Sequence, residues 1–286
     1  MKKTILLFFI SIYTFSFSQS ETEVYLFDLN KSKDGYSLSN RKNISNNPGY
    51  DSQPHFYDAN TILFSSTRNG QTDIAKYDIK TGKKTFINST PSGGEYSPQR
   101  IPKSDHVSAV RLDTTGLQRF YKYDIKTGES QELISDLKVA YPFWYDKNTT
   151  VAAVIGNKNL YLAVSNPKKG TNATIQTNVG RSIHQIPNSK NVSFISKKTP
   201  IWEILSLDIE KLRTTKITDI EGKYEDICWM PDGTILLAKE NQILRFDPKT
   251  NDGWKVLFTL KNIEKISRII VNSKGTKIAI VAQKSN

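Results

Sequence analysis

A single cysteine, Cys228, stands among the 286 residues, so no intrachain disulfide can form. Its neighbours Ile227, Trp229 and Met230 are apolar, the setting of a buried, inert thiol. Histidine is nearly as scarce, with only His55, His106 and His184. The chain has no Gly-x-Ser-x-Gly elbow, no His-Glu-x-x-His motif, no Cys-x-x-Cys pair and no glycine-rich phosphate loop. A nucleophile-elbow hydrolase, a zinc peptidase of that type and a phosphate-loop enzyme are therefore not expected. Beyond the N-terminus no apolar run approaches the ~20 residues of a membrane-spanning helix. Basic blocks are missing too. Forty Lys and Arg face 28 Asp and Glu, a formal charge of +12, but beyond Lys2-Lys3 the lysines are scattered, with short pairs at Lys83-Lys84, Lys168-Lys169 and Lys197-Lys198. That is a solvated surface and not a nucleic-acid stripe.

The first residues carry a three-part pattern. Lys2 and Lys3 precede an apolar run from Ile5 to Phe15, and Ser16-Phe17-Ser18 places small residues where signal peptidase reads. Residues 1–18 are expected to be a signal peptide, with the mature chain starting at Gln19. No cysteine near the cut offers a lipid attachment point. The expected location is periplasmic or secreted, with no transmembrane segment left after cleavage.

The mature part is repetitive. Tyr77-Asp78-Ile79-Lys80-Thr81-Gly82 returns as Tyr123-Asp124-Ile125-Lys126-Thr127-Gly128. Asp opens the turn, Gly takes the positive φ, and the flanking runs pair as a hairpin. Weaker copies centre on Asp28, Ser165-Asn166, Asp208 and Asp247, making six. Between them lies a second unit of a short strand, a polar turn and a strongly apolar strand. Its copies run Pro54–Phe64, Pro98–Val110, Pro142–Val154, Ile183–Ile195, Ile227–Ala238 and Ser267–Val281. One hairpin and one such unit give four strands about every 42 residues, the period of a propeller blade. The chain opens on a hairpin with no partner before it and ends on a unit with no hairpin after it. The fold class expected is all-β: one six-bladed β-propeller over residues 19–286, its ring closed by N- and C-terminal strands sharing one blade. Glu203 to Lys216, the nearest thing to a helical period, alternates with period two.

Phe64-Ser65-Ser66-Thr67-Arg68-Asn69-Gly70-Gln71-Thr72-Asp73-Ile74 resembles the strand–loop–strand of TolB-like propeller repeats, and Trp229-Met230-Pro231-Asp232-Gly233 resembles their Trp-Ser-Pro-Asp-Gly turn. The resemblance covers Val24 to Val281 and fades in the third and fourth repeats, where Gln185 stands in place of the usual Trp. TolB proper has an additional N-terminal α/β domain, for which this chain has no room. The resemblance implies the fold and an envelope-associated binding role. Relatives of this fold also include accessory domains of serine peptidases and metal-dependent lyases and lactonases.

For a metal, the candidates are His55 and His184, which the repeat places at equivalent points of innermost strands, a point shared with Gln99 and Arg268. Blades one and four oppose one another across a six-fold ring, and one ion needs each nitrogen at ~2.0–2.1 Å. No metal, cofactor or catalytic residue is assigned, and a non-enzymatic role is favoured over enzymatic chemistry. Binding is expected on loops held by the ring. The face candidates are Tyr50, Asp51, Arg68, Glu95, Tyr96, Arg111, Tyr141, Arg181, Tyr224 and Glu225, a set rich in the Tyr and Arg of interface hot spots. The recurring Tyr equally suits the seam between adjacent blades. Arg68 and Arg111, in matching loops, are expected to hold their charges in solvent. The reading is an exported monomer that binds a protein or peptide. The alternatives are a carbohydrate or anionic-headgroup binder, or a metal-dependent lyase or lactonase using the channel histidines.

Overall fold

The computed structural model describes residues 21–283 apart from residue 34, and the expected signal peptide lies outside the described residues. Strands β1 (Thr22–Ser32) and β2 (Gly35–Asn43) come first. Blade one is β3 (Asp51–Phe56), β4 (Thr61–Arg68), β5 (Gln71–Asp78) and β6 (Lys84–Phe86). Blade two is β7 (Gly93–Arg100), β8 (His106–Asp113), β9 (Gln118–Asp124) and β10 (Ser130–Ile134). Blade three is β11 (Val139–Trp144), β12 (Thr150–Ile155), β13 (Leu160–Asn166) and β14 (Thr171–Thr177). Blade four is β15 (Val179–Gln185), β16 (Asn191–Ser196), β17 (Glu203–Asp208) and β18 (Arg213–Asp219). Blade five is β19 (Ile227–Trp229), β20 (Ile235–Lys239), β21 (Gln242–Phe246) and β22 (Lys255–Thr259). The chain ends on β23 (Glu264–Val271) and β24 (Lys277–Gln283).

Each blade is a four-stranded antiparallel sheet, and the sixth has the order β2-β1-β24-β23. Both ends of the chain therefore build one blade, as the two orphan units require. Successive innermost strands touch all the way round, with β23 meeting β3 to close the ring. The fold is the TolB-like six-bladed propeller.

The burial pattern explains the unusual hydropathy of the second strands. Ile62, Leu63 and Phe64 of β4 are all fully buried, because a neighbouring blade covers each face of the sheet. Outermost strands such as β18 (Arg213–Asp219) read polar because one edge and much of their surface meet water. The innermost strands also have one unpaired edge, along the axis. A proline lacks the N–H that a central strand needs, so Pro54, Pro98 and Pro142 are admissible there. In the β5–β6 hairpin the Asp78 carboxylate accepts from the Thr81 amide at 2.7 Å, and Gly82 sits at φ 72°. Asp124 and Gly128 repeat the arrangement, with the Thr127 amide at 2.9 Å and φ 75°.

Trp144 and Trp229 occupy one register, the last residue of β11 and of β19. The Trp144 indole N–H donates to Ser108 Oγ of blade two at 2.8 Å, and that of Trp229 donates to Ser193 Oγ of blade four at 2.8 Å. Each tryptophan thus rivets its blade to the preceding one. Trp144 is buried against Val110, Phe120 and Ile134, whereas Trp229 is half-buried.

Candidate functional site

The innermost strands begin at one face of the ring, called the upper face here, and end at the lower. Along the axis lies a cavity of about 170 Å³ lined from all six blades, including Gln53, Gln99, Tyr141, Arg181, Asp226 and Arg268. Arg181, Asp226 and Arg268 also line a mouth of about 510 Å³ on the upper face. His55 and His184 also line a mouth of about 600 Å³ on the lower face.

The narrow part is charged at its upper end. The Arg181 guanidinium grips Asp226 with two hydrogen bonds, Nε to Oδ1 at 3.1 Å and Nη2 to Oδ2 at 2.5 Å. Arg268 Nη1 donates to the same carboxylate at 3.0 Å and lies over the Tyr141 ring, 5.9 Å from its centre. Glu225 holds Lys197 at 2.6 Å, and the Lys197 ammonium caps the Trp202 ring at 4.2 Å. The Arg181–Asp226–Arg268 cluster joins blades four, five and six. Asp226 was missed in the sequence, although 181, 226 and 268 recur near the blade period.

Arg268 requires a correction. Pairing across the first hairpins aligns His55 (opposite Leu63), Gln99 (opposite Ser108), His184 (opposite Ser193) and Ile270 (opposite Ala279). Ile270, and not Arg268, shares the histidine position. Pairing is regular from Arg268 (opposite Val281) to Val271 (opposite Ile278), so Arg268 lies two residues, one layer, above Ile270 towards the upper face. Gln99 is committed elsewhere, its amide donating to the Pro142 carbonyl at 2.5 Å. Burial pulls both imidazoles down to about 4, Arg100 adding repulsion at His55, so both are neutral at pH 7. No group of three His, Cys, Asp or Glu side chains able to hold a metal occurs among the described residues. The donor set at the two histidines does not fit a protein-held ion. His106, at the start of β8, lies away from the axis in a lateral groove. Cys228 is buried, which pushes its thiol up to about 12.

The structure separates the ten face candidates. Tyr50, Tyr96, Tyr141, Arg181, Tyr224 and Glu225 surround the upper mouth or the seams below it. The Tyr50 and Tyr96 rings meet across blades one and two, 6.1 Å between centres, so these tyrosines do pack the seam. Tyr224 hydrogen-bonds Glu240 at 3.1 Å at the surface. Asp51 and Glu95 are fully buried beneath the face instead of on it. Glu95 accepts from Asn88 at 2.7 Å, Thr90 at 2.7 Å and Tyr123 at 2.9 Å.

The arginines are also not free in solvent. Arg68 donates Nε at 3.0 Å and Nη2 at 2.6 Å to Asp73, a fully buried carboxylate, and stacks on Phe86 at 4.1 Å. Arg111 holds the partly exposed Asp113 at 3.0 Å and stacks on Tyr121 at 4.0 Å. The hairpin geometry that folds Arg68 back on Asp73 is invisible without knowing that Asp73 is buried. Arg68→Ala is expected to destabilise by about 2–3 kcal/mol, since it takes the cationic donor from a buried carboxylate and leaves only Asn88, Gln71 and Thr90 to hold it. Arg111→Ala is expected to stay below about 1 kcal/mol. Urea midpoints of the two variants, measured side by side, check the contrast.

Asp51 yields a pH prediction. Its Oδ2 accepts from Asn47 at 2.7 Å, while its Oδ1 has no hydrogen-bond partner among the described residues. Burial lifts its carboxyl to about 7, with Glu23 adding repulsion and Ser66, Lys84 and Asn47 opposing. A carboxyl that holds its proton more tightly when folded destabilises the fold as pH rises from about 4 to 7, and that loss is complete above 7. Asp51→Asn is therefore expected to raise stability at pH 8 by on the order of 2 kcal/mol and to change little at pH 4. Thermal melts of both proteins at the two pH values measure it, and an equal shift at both would refute it. His55 and His184 act in the opposite sense, weakening the fold as pH falls from 6.5 towards 4.

The sequence matches no protein-family model and no curated protein. Solved structures do match. A putative TolB from Agrobacterium tumefaciens superposes with a TM-score of 0.68 at 11% identity, over 92% of this chain and 98% of that one. A chain of a nidogen/laminin complex gives 0.64 at 10% identity, over 93% and 100%. An oligogalacturonate lyase in complex with manganese gives 0.61 at 12% identity, over 95% of both chains. At such identities the likeness is one of fold.

Proposed function

We propose that this chain is an exported protein whose upper face docks a protein or peptide partner. One observation carries the reading. Four exposed aliphatic side chains, Leu112, Leu117, Ile155 and Ile201, at 38–62% exposure, sit at the ends of β8, β12 and β16 or in the loops that follow them. Those segments come from three consecutive blades and all lie on the upper face. Beside them stand cations already fixed on aromatic rings, Arg111 on Tyr121 and Lys197 on Trp202. An apolar arc next to pre-ordered Arg and Lys has the anatomy of a protein interface, and pre-ordering lowers the entropy lost on binding. Neighbours of the same fold include a protein complex and a TolB, which accords with this role. Export belongs to the same proposal: mass spectrometry of the envelope fraction should find a chain beginning at Gln19.

The test is in-cell crosslinking of tagged protein. The triple variant Leu117→Asp, Ile155→Asp, Ile201→Asp should melt like the parent and lose the crosslinked species. Val256→Asp, an equally exposed aliphatic on outer strand β22, should retain it. Retention by the triple variant, or loss only in His55→Ala with His184→Ala, would sink the docking reading and favour chemistry in the channel.

A further inference from the structure

A second recess lies away from the channel, between blades two and three on the lower face. It encloses about 510 Å³ and takes its wall from the β7–β8 turn, from β9 and β10, and from the turns of blade three. Its floor is apolar: Ile101, Leu133 and Trp144. Lys103, Lys122, Lys147 and Lys168 stand around it. None of these four ammonium groups makes an ion pair or hydrogen bond within the described residues, whereas lysines such as Lys197, Lys216 and Lys239 are each paired. Glu132, the one carboxylate of the lining, already faces Arg119 at 3.6 Å. The nearby Asp124 and Asp146 turn their carboxylates onto turn amides, Lys126 and Thr127 for the first and Asn148 and Thr149 for the second. The recess is therefore concave, apolar below and positive at its rim, with four lysines against one carboxylate that is drawn towards Arg119.

We propose that this recess binds an acidic peptide segment, its carboxylates meeting the four lysines and an apolar side chain resting against Leu133 and Trp144. Charge complementarity selects an anionic ligand, and the apolar floor selects one with hydrocarbon as well as carboxylate. The concavity argues against a flat membrane surface. None of the large exposed apolar side chains lines the recess, so nothing there would insert among lipid tails. This surface is separate from the upper face, and the two proposals stand or fall on different substitutions.

The probe is a synthetic peptide of mixed Glu and Leu, titrated by calorimetry into the mature protein at low salt. Lys147→Glu with Lys168→Glu should weaken binding at least tenfold, since two attractive contacts become repulsive. The matched control is Lys138→Glu with Lys158→Glu, which changes net charge equally but lies at upper-face segments outside the recess. It should shift affinity less than about twofold, with the parent's binding weakening as salt rises. Equal losses in both pairs would show attraction to net charge alone and overturn the site. So would no binding of the peptide, or binding only to vesicles of anionic phospholipid that the recess variants abolish.

Discussion

A chain cut before Lys277 is expected to lose cooperative unfolding and most of its solubility. Strand β24 pairs with β23 on one side and β1 on the other, so among the described strands it is the one that joins the C-terminal and N-terminal halves of the sixth blade. Ile278, Ala279, Ile280, Val281 and Ala282 are all fully buried. Burial of Ile278, Ile280 and Val281 alone contributes roughly 6 kcal/mol, at about 1.5–3 kcal/mol each. That is comparable with the whole stability of an ordinary domain. The cut also leaves β1 (Thr22–Ser32) as a bare edge beside an apolar surface, which invites pairing between molecules. Calorimetry and sedimentation decide it. A truncated protein that stays monomeric and melts at the parent's temperature would mean that the ring does not close through this blade.

Trp144→Ala is expected to destabilise by about 3–5 kcal/mol, the usual loss for a deleted buried aromatic. The cavity would open at the joint between blades two and three, and Ser108 Oγ would lose its indole donor. Trp144→Phe separates the contributions. It keeps most of the packing and should lose about 1 kcal/mol with the hydrogen bond. Chemical denaturation measures both. Near-neutral behaviour of the alanine variant would show that the joint is held without the tryptophan.

The architecture was legible because a propeller writes its geometry into the chain. Central strands covered on both faces become apolar runs, the Asp/Gly turns recur at a fixed period, and the two orphan units declare the closure. Trp144 and Trp229 could be placed because both follow the same turn grammar. The site was less legible for a different reason. Its contacts cross seams between residues some 42–45 positions apart, as in Arg181 with Asp226 and Arg268 with Asp226. Exposure of a charged residue depends on whether such a partner exists. Arg68 reads as a solvent cation until Asp73 is known to be buried beneath it. Arg268 was placed one layer off because the irregularity falls just before the histidine in β3 and β15 but before Arg268 in β23, a difference that leaves no mark in composition. The exposed aliphatics of the upper loops were in plain sight, yet single apolar residues gain meaning only when three blades bring them to one face.

The shared sixth blade also orders events in time. Asp28 and Lys277 form a pair across the seam, and Thr22 pairs with Gln283, so the first strand made waits for the last. While the chain is being synthesised, five blades can assemble but β1 has no permanent neighbour on its inner side. Sequence-distant pairing of this kind slows folding, because loop closure comes before the contacts that reward it. The ring therefore has a defined last step, and any helper protein that shields an unfinished chain would have to cover β1 until the final seven-residue strand arrives.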